Sequence, residues 1–268
     1  MEPVEVTRRG GPLVLSMPHA GTHVPPDIHE CLTPLGRGLP DTDWWIDRLY
    51  DFATELDATV VCATASRYVI DVNRDPSGQS LYPGQATTDL CPTTTFDGDP
   101  LYAEGTEPDA VEIERRRRDW FEPYHAALAA EIGRVRERHG YALLYDCHSI
   151  RSRVPRLFDG ELPVLNIGTN GSSSCAPGIE DAVVSACASQ DIFTHVVNGR
   201  FLGGWITRHY GQPDTGVHAL QMELAQRAYM EETPPWTFDE GRAAAIRPVL
   251  RDVLTAMLRW ADGDRSGD

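Results

Sequence analysis

The stretch Tyr141–Ser149, YALLYDCHS, decides the fold: an apolar run that reads as a buried strand passes directly into Asp146, Cys147 and His148. A strand apolar on both faces belongs to a parallel sheet covered by helices on both sides. Ligands of such sheets collect at the carboxyl ends of the strands. Asp146 and His148 are two residues apart, so on an extended chain they face one way and Cys147 the other. A carboxylate so placed can take the second ring proton of an imidazole and orient a metal-bound histidine. Taken alone, the pair is a weak signal whose default reading is a hydrogen-bonded structural histidine, and Cys147 reads as structural.

Outward from this strand, elements alternate. Residues 107–140 predict a long helix with Trp120, Tyr124, Leu128, Ile132 and Val135 along one stripe, Arg115–Arg118 on a solvated face and Gly140 as the stop. Upstream, Leu13–Met17 reads as a short buried strand broken by Pro18, with His19 and His23 in the following loop. DTDWWIDRLYDFATELDA (41–58) has helical spacing, with Asp41 or Asp43 as cap. TVVCATAS (59–66) and RYVIDVNR (67–74) read as two strands. Residues 75–107 are rich in Pro, Gly, Thr and Asp and show no period; a stretch this long suggests an active-site loop or lid. Downstream come strand LPVLNIGT (162–169), helix IEDAVVSACASQ (179–190), a segment around THVVNGRF (194–201), strand VHALQMEL (217–224), a helix over about 240–260 and a frayed tail, 262–268. The alternation indicates one α/β domain over 1–268 with a mainly parallel or mixed sheet.

The formal net charge is −16, from 40 acidic and 24 basic residues, which disfavours nucleic acid and anionic membrane as partners. Every basic side chain is arginine, so Schiff-base chemistry and the lysine of a phosphate loop are excluded. Six dispersed cysteines and the absence of a long apolar N-terminal stretch point to a cytoplasmic protein with reduced thiols.

Polar residues with chemical potential fall at the strand ends. His19 ranks above His23, because Gly21 and Pro25 deny the pair a zincin helix. Asp71, Asn73 and Arg74 end one predicted strand. Glu223 lies in an otherwise apolar one, where a carboxylate is either paired, with Arg227 for example, or functional as a desolvated base. Arg67, Arg74, Arg151, Arg153, Arg200 and Arg208 lie beside these ends, and two or three of them are expected to select an anionic substrate.

The segments LVLSMPHAGTHVP, DTDWWIDRLYDFA, SRYVIDVNR, LYPGQATTDLCPTTTFDG, LLYDCHSIRS, NGRFLGGWITRHYG and HALQMELAQRAYM, in this order from about Leu13 to Glu232, closely resemble the N-formylglutamate amidohydrolase (deformylase) family. The resemblance implies a three-layer α/β/α sandwich with a mixed, mainly parallel sheet, similar to zinc carboxypeptidases and aspartoacylases. It implies hydrolysis of N-formyl-L-glutamate to formate and L-glutamate, in histidine degradation. It further implies a divalent metal, Zn2+ by ligand type, held by His19 and His148. Where carboxypeptidases carry a glutamate ligand, this chain has Thr22, so Asp43 becomes the candidate third ligand, with Asp41 behind it. Glu223 matches the glutamate that acts as base and acid on the metal-activated water, and Arg67 would steady the oxyanion. Asn73 and Arg74 would grip a substrate carboxylate, with Arg151, Thr207, Arg208 and His209 completing the pocket. The alternatives are a deacylase of another N-acyl acidic amino acid and a non-enzymatic binder of acidic metabolites.

Overall fold

A computed structural model describes residues 1–79, 84 and 87–264. Its seven strands are β1 (Val4–Thr7), β2 (Leu13–Met17), β3 (Thr59–Ala63), β4 (Ala142–Ile150), β5 (Leu165–Gly168), β6 (His195–Val197) and β7 (Val217–Ala225). They form one sheet in the order β1-β3-β2-β4-β7-β5-β6. The β1–β3 and β5–β7 pairings are antiparallel and the other four parallel, so the sheet is mixed and mainly parallel as expected.

Three short helices, α1 (Pro26–Cys31), α2 (Pro34–Arg37) and α3 (Ile46–Leu49), precede the long pair α4 (Ala110–Arg116) and α5 (Glu122–His139), which are joined by a π turn. α6 (Pro177–Ala188), α7 (Trp205–Tyr210) and α8 (Glu240–Asp264) complete the set. Period-two alternation along the central strands divides the core into two layers. Leu143, Tyr145 and Cys147 of β4, with Leu220, Met222 and Leu224 of β7, pack with α6 and α8 side chains such as Val183 and Leu250. Ala142, Leu144, Val217 and Ala219 pack on the other face with Tyr124, Leu128, Ile132 and Val135 of α5 and Ile206 of α7. The expected three layers and the α5 stripe are both present. Gly140, at φ 82°, ends α5 in the left-handed conformation that glycine adopts without steric cost.

Three local expectations give way to tertiary demands. Residues 41–58 form only α3 and a 3-10 turn, Asp51–Leu56. Trp45 sits at φ 62°, and Asp41 and Asp43, rather than capping, turn into the interior to meet Tyr68 and His148. Residues 67–74 fold as buried turns instead of a strand, because β3 already pairs with β1 and β2. Side chains take up the backbone acceptors there: Arg116 donates to Val69 O at 3.1 Å, and the His125 ring binds Val72 O at 2.8 Å. Arg116 thereby leaves the solvated arginine face, is buried, and donates to Tyr102 Oη at 2.7 Å. Of the predicted 75–107 lid, residues 80–83, 85 and 86 lie outside the described residues, as do residues 265–268 of the tail.

Arg116→Met keeps most of the volume but removes the donors to Val69 and Tyr102. It should lower unfolding free energy by about 2–4 kcal/mol, read as a lower urea midpoint at unchanged slope.

Candidate active site

The site grows out of the strand face that α5 covers. Beyond Leu144, the same alternation on β4 presents Asp146 and His148, and beyond Ala219 on β7 it presents Gln221 and Glu223. Parallel registration sets Ser16, Asp146 and Gln221 in one row across the sheet and His148 beside Glu223 in the next. β4 continues to Ile150, so the pair sits within the last turns of the strand ladder rather than in a loop. The imidazole therefore projects from strand backbone registered against β7.

Each of two imidazoles is held from behind by a carboxylate. His148 Nε2 lies 3.0 Å from Asp146 Oδ2, and Asp146 Oδ1 accepts from Ser16 Oγ at 2.7 Å. His19 Nε2 lies 2.6 Å from Asp71 Oδ1, and Asp71 Oδ2 accepts from Arg67 at 2.7 Å. The opposite ring nitrogens face Asp43: His148 Nδ1 is 3.0 Å and His19 Nδ1 3.7 Å from its Oδ2. The two ring centroids are 4.9 Å apart. Backbone Ser149 N–H donates to Asp43 Oδ2 at 3.1 Å and keeps that carboxylate turned inward.

His19, Asp43 and His148 each offer one ligand atom, and these atoms lie within 4.8 Å of one another; all three residues are buried. His19 Nδ1 and Asp43 Oδ1 are buried acceptors without a hydrogen-bond partner. Orphaned buried acceptors are costly, and a cation at their meeting point would satisfy both. Two imidazoles and a carboxylate, with each ring anchored by a carboxylate, match the donor set of a catalytic divalent site. Electrostatics agree: burial would lower the His148 pKa, yet Asp146 and Asp43 outweigh it and hold the ring well above its ordinary value. Burial would raise Asp43, yet His148 and His19 hold it below the ordinary range. The cluster draws positive charge to its centre.

Glu223 behaves differently. Burial pushes its carboxyl up to about 7, with Asp43 and Asp146 adding to the rise and His148 and Arg67 opposing it. Gln221 Nε2 donates to its Oε2 at 3.0 Å, which fixes the carboxyl beside His148. Arg227 does not pair with it; that guanidinium binds Ser152 Oγ and Leu162 O.

A cleft opens over this cluster, lined by His19, Arg67, Asn73, Arg74, His148 and Glu223, with Thr87, Thr88, Phe96, Ile150, Leu157, Arg200 and Phe201 on its other walls. Three of the six arginines, Arg67, Arg74 and Arg200, reach it. Arg74 donates to Thr88 O, Thr88 Oγ1 and Asn73 O, its NH2 lies 3.5 Å from Asp71 Oδ2, and its guanidinium lines the cleft. Arg67 is buried between Asp71 and Asp43, and its Nε has no hydrogen-bond partner.

Asn73 also lines the cleft; its Oδ1 accepts from Ile206 N–H at 2.8 Å and its Nδ2 donates to Asp146 Oδ2 at 3.4 Å, so the amide fixes α7 and the carboxylate behind the His148 ring. The remaining expected residues are placed elsewhere. Thr207 is fully buried behind Gly203. Arg208 donates to Gly203 O, and His209 stacks on Trp205 at 4.1 Å. Arg151 binds Asp97 at 2.7 Å, and Arg153 binds Glu161 at the surface. Asp41 binds Tyr68 and the Phe96 backbone rather than joining the ligand cluster. His23 lies against Trp120.

Sequence reading missed Gln221, Thr88 and Phe96. Gln221 carried a signal, since it shares a strand face with Glu223; Thr88 and Phe96 lie in the aperiodic stretch and carried none.

A buried two-histidine, one-carboxylate cluster beside a protonatable glutamate, at the carboxyl edge of a mainly parallel sheet, has the make-up of a metal-assisted hydrolase site. The chain belongs to the N-formylglutamate amidohydrolase family, whose model matches residues 11–230. An N-formylglutamate deformylase of Pseudomonas aeruginosa is 49% identical over 261 residues, spanning 97% of this chain and 98% of its own. One from Pseudomonas putida is 49% identical over 249 residues, 93% of each chain. The crystal structure of an N-formylglutamate amidohydrolase from Ralstonia eutropha superposes with a TM-score of 0.80 at 25% identity, over 100% of both chains. A gene product of Agrobacterium tumefaciens shares the fold, with a TM-score of 0.74 at 20% identity over 98% of this chain and 97% of its own.

Replacing either anchoring carboxylate, Asp71→Asn or Asp146→Asn, should weaken binding of a divalent cation by ~10–100-fold, measured by direct titration of the metal-stripped protein.

Proposed function

We propose that this chain hydrolyses N-formyl-L-glutamate to formate and L-glutamate, the activity for which its Pseudomonas relatives are named, and that it does so in histidine degradation. The observation that carries the mechanism is the registration of Glu223 beside His148, which puts a carboxyl of raised pKa next to the candidate ligand cluster.

His19, Asp43 and His148 would hold the cation, and Zn2+ suits their nitrogen and oxygen donors best. A bound divalent cation supplies Lewis acidity toward the formyl oxygen and toward water. The chain's own residues do the rest. Glu223 takes a proton from water as its oxygen adds to the formyl carbon, then delivers that proton to the leaving glutamate nitrogen as the C–N bond breaks. Arg67, buried against the cluster, supports the negative charge that develops on the formyl oxygen. Arg74, from the Thr88 side, binds a substrate carboxylate, and Arg200 adds positive charge to the same cleft. Asn73 acts indirectly by donating to Asp146, and Asp71 and Asp146 orient the two rings.

The sheet joins strands from both halves of the sequence, which supports one catalytic domain over 1–268. Among the described residues no helix is long and apolar enough to cross a membrane. With the small anionic substrate, this supports the reading of a cytoplasmic enzyme.

The test is formate release from N-formyl-L-glutamate before and after chelation: activity should vanish on chelation and return with Zn2+. A protein that binds the substrate but releases no formate in any metal form would refute the reading in favour of a binder.

Glu223→Gln should lower kcat by ~10²–10⁴-fold with little change in KM. In the parent enzyme Glu223 must be ionised to accept the proton, so kcat/KM should fall as pH drops through an acid limb at or below about 7, the value its buried position gives it. That limb should be absent from the residual activity of the variant.

A further inference from the structure

We propose that Phe96 sets the size of acyl group this site accepts and that Asp41 is the residue that positions it. The inference rests on the amidohydrolase reading above and adds a determinant of substrate choice within the same cleft.

The cleft walls differ in character along their length. Arg74 and the Thr87–Thr88 segment give one side polar contacts, whereas Phe96 brings an aromatic ring to the side where Arg67 meets the ligand cluster. The Arg67 guanidinium carbon lies 4.7 Å from the centre of the Phe96 ring, and Arg67 NH1 is 3.6 Å from Asp43 Oδ1. A single guanidinium thus separates the ring from a candidate metal ligand. Whatever replaces hydrogen on the acyl carbon must be housed beside the reacting centre, and Phe96 is a bulky apolar wall whose ring lies over the Arg67 guanidinium. Phe96 also packs into a small apolar cluster with Ile150, Val154 and Leu162, so the ring has little room to swing aside.

The backbone that carries the ring is anchored equally firmly. Phe96 N–H donates to Asp41 Oδ2 at 2.7 Å, and the same oxygen accepts from Tyr68 Oη at 2.7 Å. Thr95 N–H donates to Asp99 O and Gly98 N–H to Thr95 O, which closes residues 95–99 into a compact turn. Asp41 is buried, and Arg151 faces its other oxygen at 3.5 Å. This carboxylate ties three separate segments together and fixes how far Phe96 reaches into the cleft. A formyl group needs only a hydrogen's width at that wall. An acetyl group needs a methyl's width, and a site rigid on that side resists it.

The experiment compares kcat/KM for N-formyl- and N-acetyl-L-glutamate in the metal-loaded parent, Phe96→Leu, Phe96→Ala, Asp41→Asn and Asp41→Ala, following release of L-glutamate. In both substrates water's oxygen joins the acyl carbon, the C–N bond breaks and the amine receives the proton, so one assay serves for both. The acetyl-to-formyl ratio should rise by ~10-fold or more in Phe96→Leu and further in Phe96→Ala. Asp41→Ala should raise it too, while Asp41→Asn, which keeps an oxygen for Phe96 N–H, should stay closer to the parent. General damage to the fold lowers both substrates together and leaves the ratio unchanged. Phe96→Leu, the smaller cut, keeps the test valid if Phe96→Ala does not fold. A parent-like ratio in active Phe96 variants would overturn the proposal, and a parent-like ratio in Asp41→Ala would overturn the anchoring role. A parent that releases glutamate from neither substrate would instead refute the amidohydrolase reading on which the inference stands.

Discussion

The site depends on the parallel registration of β4 against β7. Nine consecutive residue pairs run in step, Ala142 with Val217 through Ile150 with Ala225, and every residue of both strands is buried. Side chains on a strand repeat every two residues, so a one-residue slip of β4 would bring Cys147 to the cleft and drive Asp146 and His148 into the packed α6–α8 layer, away from Glu223. Two charged groups in an apolar layer would cost several kcal/mol each, which excludes the slipped arrangement. The hydrophobic core that stabilises the sheet is therefore also what aligns the imidazole with the carboxyl.

Around that pair the protein gathers five buried acidic side chains: Asp41, Asp43, Asp71, Asp146 and Glu223. Arg67 and Arg74 offset part of this charge from the 67–74 turns, and the two imidazoles are shared among the carboxylates. Such a cluster has two ways to limit its repulsion: hold a proton where carboxylates crowd together, or accept a cation at the centre. Glu223, with burial raising its pKa, takes the first course, and the His19, Asp43 and His148 atoms provide for the second. The same electrostatic constraint thus accounts for both the raised carboxyl of Glu223 and a donor cluster that could hold a cation.

The loop that walls the cleft is subject to related demands. Residues 67–74 and 87–101 have few regular backbone hydrogen bonds, and side chains from elsewhere compensate: Arg116, His125, Asp41 and Arg74 each bind a backbone group there. Long-range side-chain bonds of this kind hold irregular backbone in one conformation, which is what a size-selective pocket needs.

Sequence alone determined the layered α/β class, because apolar periodicity reports burial on one face or two. It also singled out His19, His148 and Glu223 as candidates from their places at strand ends, and the family resemblance added Asp43; the structure brings the four side by side. It misjudged residues 41–58 and 67–74, whose local patterns favour helix and strand while the interior claims Asp41, Asp43, Asp71 and Asn73 for buried bonds. Which arginines reach the cleft was likewise beyond it, since a guanidinium looks the same in sequence whether it lines the cleft, as Arg74 does, or binds Asp97, as Arg151 does. Only the tertiary structure decided these points, because each depends on contacts between segments tens of residues apart and not on any local propensity.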